Sequence, residues 1–72
     1  MKLPVVSGRE CVQALIKSGF IFKRQHSSHI ILVREKPYSL IVVPDHTTLD
    51  RGTLRAIIRQ TGIAVNEFLE LL

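Results

Sequence analysis

The sequence predicts an α+β fold in which one helix precedes a three-stranded antiparallel sheet and two helices follow it. Three observations carry this. A helix-capping pattern near the N-terminus opens an apolar stripe at helical spacing. Three short apolar runs come next, split by brief polar turns. A second helical stripe then ends on a glycine, before a last apolar segment.

Taken in order, Ser7-Gly8-Arg9-Glu10 has the form of a capping box, in which serine and glutamate each satisfy a free backbone N–H of the first turn. Cys11, Val12, Leu15 and Ile16 form the stripe behind it. Gly19 suits the left-handed position that ends a helix, so the first helix runs from about Gly8 to Ser18. Phe20 to Arg24 reads as a strand with Phe20 and Phe22 on one face and Lys23 on the other. Gln25-His26-Ser27 reads as a turn. Ser28 to Arg34 is the second strand, with His29, Ile31 and Val33 on one face and Ile30 and Leu32 on the other. Glu35-Lys36-Pro37-Tyr38 is a turn, since proline cannot serve a ladder. Ser39 to Val43 is the third strand, ended by Pro44. A loop from Asp45 to Leu49 leads to a helix capped by Asp50, with Leu54, Ile57, Ile58 and Thr61 inward and Gly62 at its end. Val65 to Leu72 is a final short helix carrying Val65, Phe68, Leu69 and Leu72.

Short turns make the sheet an antiparallel meander, and the helices are expected together on one face of it. The second and third strands are nevertheless apolar on both faces. An apolar sheet face left bare marks an interface, so the pattern predicts a protein partner or a homo-oligomer. The alternative is that the C-terminal helix and the loop before the second helix fold over the gap.

Seventy-two residues make one domain, spanning 1–72, with a single thin core and no room for a deep tunnel. Apolar residues at 46% against 22% charged argue against disorder. Ten Lys and Arg against six Asp and Glu leave a formal charge of +4, which favours polyanions, nucleic acid first among them. An acidic protein would answer to the same field. No segment joins a long basic face to a large apolar one, and the longest apolar runs are far too short to span a bilayer, so no membrane partner is expected. The lone cysteine, Cys11, permits no internal disulfide, and the N-terminus carries no signal-like apolar stretch. A soluble cytoplasmic protein is expected.

Two constellations could carry chemistry. Arg51, Arg55 and Arg59 stand four apart on the second helix, away from its apolar positions, and no acid interrupts them. Such a stripe suits successive phosphates of an RNA strand, or is simply a solvated face. His29 follows Ser27-Ser28 at the start of a strand. An imidazole both accepts and donates protons near neutral pH, as RNA cleavage requires, although a histidine at a strand start also serves structure alone. His26, His29, His46, Cys11 and Asp45 form no recognised metal-ligand spacing, so no metal and no cofactor are expected. Cys11 belongs to the apolar stripe and reads as core.

Arg24-Gln25-His26-Ser27-Ser28-His29 resembles the R-Q-x-G-S-H motif of the HicA (YcfA-like) mRNA interferase toxins. Val43-Pro44-Asp45-His46 is similar to their V-P-x-H segment, and Gly52 to Ile63 to their G-T-L-x-x-I-L-x-Q-A-G-I helix. Ser7 to Glu10 and Gly19-Phe20 fit as well. The resemblance covers about Ser7 to Leu72. It implies a fold like that of double-stranded RNA-binding domains, metal-independent cleavage of mRNA, and neutralisation by a HicB-type antitoxin covering the active site and the bare sheet face. It implies His29 as the catalytic histidine. Arg51, Arg55 or Arg59, with Lys23, Arg24 and Ser28, would hold the RNA. Ser28 and Tyr38 are candidates for a second catalytic group. Two positions depart from the pattern. Ser27 stands for a glycine, at about 1 kcal/mol if the turn needs positive φ, and Ala64 stands where a capping serine is common. The rival readings are a non-catalytic RNA-binding module, an interaction protein drawn by charge alone, and an inactive toxin relic that Ser27→Gly would restore.

Overall fold

The computed structural model describes residues 2–72 and runs α1 (Gly8–Lys17), β1 (Ile21–His26), β2 (His29–Glu35), β3 (Tyr38–Pro44), α2 (Arg51–Thr61) and α3 (Val65–Glu70). The strands form one antiparallel sheet in the order β1-β2-β3. α1 packs on β1 and β3, and α2 on β3, so the helical layer occupies one face, as expected.

α1 begins with the complete capping box. Ser7 Oγ accepts from the Glu10 N–H at 3.0 Å, and Glu10 Oε1 accepts from the Ser7 N–H at 2.9 Å. Cys11, Val12, Ala14 and Leu15 are buried. Ile16, expected in this stripe, is 42% exposed, and Ala14 takes its inward place. Gly8 has a separate reason to be small. A Cβ there would run into the Pro44 carbonyl oxygen, and its N–H donates to His46 O at 2.8 Å. The start of α1 therefore lies hard against the end of β3.

The strands run further than their apolar residues do. Gln25 pairs with Ile30 and His26 with His29, which leaves Ser27-Ser28 as the turn. Glu35 pairs with Tyr38, which leaves Lys36-Pro37 as the other. Polar side chains mark a solvated edge, while the ladder continues until the chain reverses. Ser27 has φ of 57°, so the turn does need the positive φ that glycine supplies without steric cost. Between Phe22 and Arg24 the register slips by one residue. This bulge at Lys23 reverses the phase of β1. Phe22 pairs with Leu32 on the helix side, while Arg24, opposite Ile31, and His26, opposite His29, come to the other face.

The core joins Phe20, Leu32, Ile41 and Val43 to α1, and to Leu54, Ile57 and Ile58 of α2. Leu3, Val6 and Leu49 are also buried; the Leu49 N–H donates to Val6 O at 2.8 Å and ties the N-terminal segment to the loop before α2. Asp50 caps α2 through the Thr53 N–H at 2.8 Å, and Gly62 ends it at φ 80°. Arg34 donates to Thr61 O at 2.8 Å and to Pro37 O at 2.9 Å, and lies 4.7 Å from the Phe20 ring centre. A cation at a helix C-terminus meets the negative end of its dipole, so one side chain locks α2 to the β2–β3 turn. α3 starts with half a capping box, the Ala64 N–H donating to Glu67 at 3.4 Å. Its Phe68 is fully buried, but Leu72, expected inward, is 44% exposed.

The other sheet face stays bare. Ile21, Tyr38, Leu40 and Val42 are exposed there, beside half-buried Ile31 and Val33. Phe68 and Leu49 both join the core on the helix side, so neither α3 nor the loop covers this face.

Candidate active site

One end of the fold gathers most of the residues singled out from the sequence. β1 and β2 meet there at Ser27-Ser28, and β3 ends there at Pro44. α1 starts there, against Pro44 and His46. α2 also starts there and runs to the opposite end, where Gln60 O accepts from Ser39 Oγ at 3.3 Å. Both helices thus point their positive dipole ends toward this edge.

His29 is the first residue of β2. It is exposed on the bare face, between His26 of β1 and Pro44 of β3. Arg24 lies on the same face two residues before His26, and Lys23 stands at the bulge. The Ser28 side chain is exposed in the turn, and its carbonyl accepts from the Asp45 N–H at 2.7 Å. That bond joins the 24–29 segment to the 43–46 segment.

Asp45 extends the junction. Its carboxylate accepts from Arg9 Nε at 3.2 Å, from Arg9 Nη2 at 3.3 Å and from Gln25 Nε2 at 3.2 Å. Gln25 Nε2 also donates to Ser27 O at 3.1 Å. The Arg9 hydrogen bond holds the Asp45 carboxyl below its usual range against an opposing desolvation effect, and Asp45 raises Arg9 in return. Arg9 is largely exposed, so the ion pair contributes little stability. Its effect is positional: it ties the start of α1 to the chain leaving β3, and the Gln25–Asp45 bond does the same for the end of β1.

The arginine stripe meets this site at one point only. Arg51 opens α2 at the same end, whereas Arg55 and Arg59 lead away along the exposed side of the helical layer. Tyr38 is more remote still. It pairs with Glu35 at the other end of the bare face, six residues and about 20 Å of strand from Pro44. The structure therefore separates Tyr38 from His29, and at 68% exposure it does not serve packing either. Among the described residues, the one ion pair is Arg9–Asp45, which leaves Lys23, Arg24, Arg51, Arg55 and Arg59 uncompensated.

Small clefts flank the site on the helix side. One, about 210 Å³, lies between α1 and β1 and is lined by Arg9, Val12, Gln13, Phe22, Gln25 and Ile30. Another, about 150 Å³, lies among Ser7, Arg9, Asp45, His46 and Thr47. No three His, Cys, Asp or Glu side chains among the described residues gather as metal ligands. Burial pushes the Cys11 thiol up to about 12, which suits a core residue and not a nucleophile. No described helix is long and apolar enough to cross a membrane.

Sequence reasoning missed three features here. His26, in a stretch whose composition predicts a turn, ends a strand. Gln25, in the same stretch, bonds Asp45. Arg9 meets Asp45 across 36 positions of sequence. Only the bulge, which depends on strand pairing, explains the orientation of the first.

The site is thus a cationic, histidine-bearing edge beside an uncovered apolar face on a basic α+β domain. The family model for the HicA toxin of bacterial toxin–antitoxin systems matches residues 8–63, from the start of α1 to just past α2. The chain belongs to the HicA toxin family. No curated protein matches it.

Proposed function

We propose that this toxin is a metal-independent endoribonuclease that cleaves mRNA in the cytoplasm, the whole chain acting as one domain with His29 as its catalytic residue. The observation that carries this reading is the setting of His29 in a HicA-family chain. Its imidazole is exposed at a strand start, on the same face as Arg24, with no acid paired across from it.

Cleavage needs the 2′-oxygen of one nucleotide to attack the adjacent phosphorus. The O2′–P bond forms, the P–O5′ bond breaks, the 2′-hydroxyl gives up a proton and the departing O5′ gains one. His29 takes or delivers these protons, while Lys23, Arg24, Ser28 and Arg51 hold the strand and offset charge on the phosphoryl oxygens. Arg55 and Arg59 bind phosphates further along the chain. A HicB-type antitoxin is the partner that covers both the histidine edge and the bare face of Ile21, Leu40 and Val42.

The test is RNA cleavage in excess chelator by wild type and His29→Ala. Cleavage by wild type, at least about 100-fold faster than by the variant, is expected. Intact RNA with both proteins, bound equally by each, overturns the enzyme and leaves an RNA-binding module.

A further inference from the structure

We propose that His26 is a second proton-transfer residue, working with His29 as an acid–base pair across the β1–β2 hairpin; this rests on the ribonuclease reading above. The two histidines are the last Cα partners before the turn. Residues directly opposed in an antiparallel ladder carry Cβ atoms about 4.5–5.5 Å apart on one face, close enough for both rings to reach a single phosphodiester.

The bulge is what makes the pair. With regular alternation from Phe22, which faces the helices, His26 would face the helices too. The slipped register between Phe22 and Arg24 turns Arg24 and His26 to the bare face and leaves Gln25 on the helix side, opposite Ile30. Gln25 is then bonded to Asp45 and to Ser27 O. The polar contacts at this edge end on Gln25, Asp45 and Arg9, and both imidazoles point to solvent with no such contact.

The surroundings suit proton transfer at a phosphate. On β1, Arg24 shares the face and Lys23 adjoins it. On β2 the next acid, Glu35, is at the opposite end. On β3, Pro44 faces His29 and carries no charge. Asp45 follows Pro44, but its carboxylate is turned to Arg9 and Gln25. His46 sits on the loop beside Asp45, with its backbone bonded to Gly8, and belongs to the helix side.

In-line displacement puts the attacking O2′ and the leaving O5′ on opposite sides of phosphorus. One ring cannot touch both at once, whereas two rings side by side can. One imidazole takes the O2′ proton while the neighbouring imidazolium delivers a proton to O5′. Together they exchange one proton for another and need no co-reactant.

The experiment compares wild type, His26→Ala, His26→Gln and His29→Ala, with chelator present, on an RNA oligonucleotide and on its 5′-thio analogue at the scissile bond. Folding is checked by circular dichroism and RNA affinity by titration. Both His26 variants are expected to fold and bind RNA within about threefold of wild type, and to cleave about 10²- to 10⁴-fold more slowly. Wild type should show a bell-shaped pH profile, and each His26 variant should lack one limb. A sulfur leaving group needs no proton, so recovery of the His26 variants on the thio substrate assigns His26 as donor. A deficit that persists there, with the acidic limb missing, assigns it as acceptor. Cleavage by His26→Ala within threefold of wild type, with both limbs kept, overturns the pair while leaving the His29 reading intact. An inert wild type defeats both readings together.

Discussion

Replacing Ser27 with glycine should stabilise this protein, although the side chain removed is polar and exposed. Ser27 sits at φ 57° in a two-residue turn. An L-residue in the left-handed region costs about 1–2 kcal/mol through crowding of Cβ against the backbone, and glycine escapes this. Glycine also gains freedom in the unfolded chain, which returns roughly 0.5–1 kcal/mol. The expected net gain is about 0.5–1 kcal/mol. For a chain of 72 residues, the entropy of unfolding is on the order of 0.15 kcal/mol/K, so Tm should rise by roughly 3–7 °C. Thermal unfolding followed by far-ultraviolet circular dichroism measures this. Ser27→Ala, which keeps a Cβ, should unfold within a degree or two of wild type. Ser27→Pro, which demands φ near −65°, should lose much of its stability. A Tm for Ser27→Gly at or below wild type would refute the reasoning. Because the His26–His29 pairing already sets the register, cleavage by Ser27→Gly should stay within a few-fold of wild type. A large gain would instead mark the natural chain as an impaired toxin.

Gly8→Ala should cost about 1–3 kcal/mol, since its methyl meets the Pro44 carbonyl oxygen and forces α1 from the end of β3; urea denaturation should show a lower midpoint with an unchanged slope. Cys11 should resist alkylation. With its thiol at about 12 against an ordinary 9.0, the native chain holds on the order of 10³-fold less thiolate than the unfolded chain at pH 8, and iodoacetamide labelling at the unfolded rate would contradict this. The raised value also means stability is fully present below pH 9 and declines as pH climbs from there toward 12, which alkaline unfolding reports. Asp45 behaves in the opposite sense. Its lowered carboxyl stabilises the fold above the ordinary carboxylate range, and the contribution fades as pH falls through its own lower value. The Gln25 side-chain amide resonances should shift over that same acidic interval, and should not shift in Asp45→Asn.

The order of elements was legible because helical and alternating periodicities hold throughout the chain. Capping chemistry located α1 and α2 to within a residue, through Ser7, Glu10, Asp50 and Gly62. Strand ends were harder to place. Gln25 and His26 are polar, so composition suggested a turn where the ladder actually continues. Leu3 and Val6 lie in a segment with no period, and their burial comes from tertiary packing into the core, where the Leu49 N–H bonds Val6 O. At the site, His29 and Arg24 could be singled out by motif and charge. Their sharing a face could not, because the bulge at Lys23 arises from pairing with β2. The Arg9–Asp45 contact escaped for the same reason: nothing local to either residue signals a partner 36 positions away.

The bare sheet face has a consequence for handling the protein alone. Ile21, Leu40 and Val42 present oily surface to water on a small molecule whose formal charge of +4 makes its copies repel one another. Added salt weakens that mutual repulsion, and strongly excluded anions such as sulfate strengthen apolar attraction at the same time. The isolated chain should therefore self-associate more as ionic strength rises. Buffers of high ionic strength are those in which separate copies are least at ease.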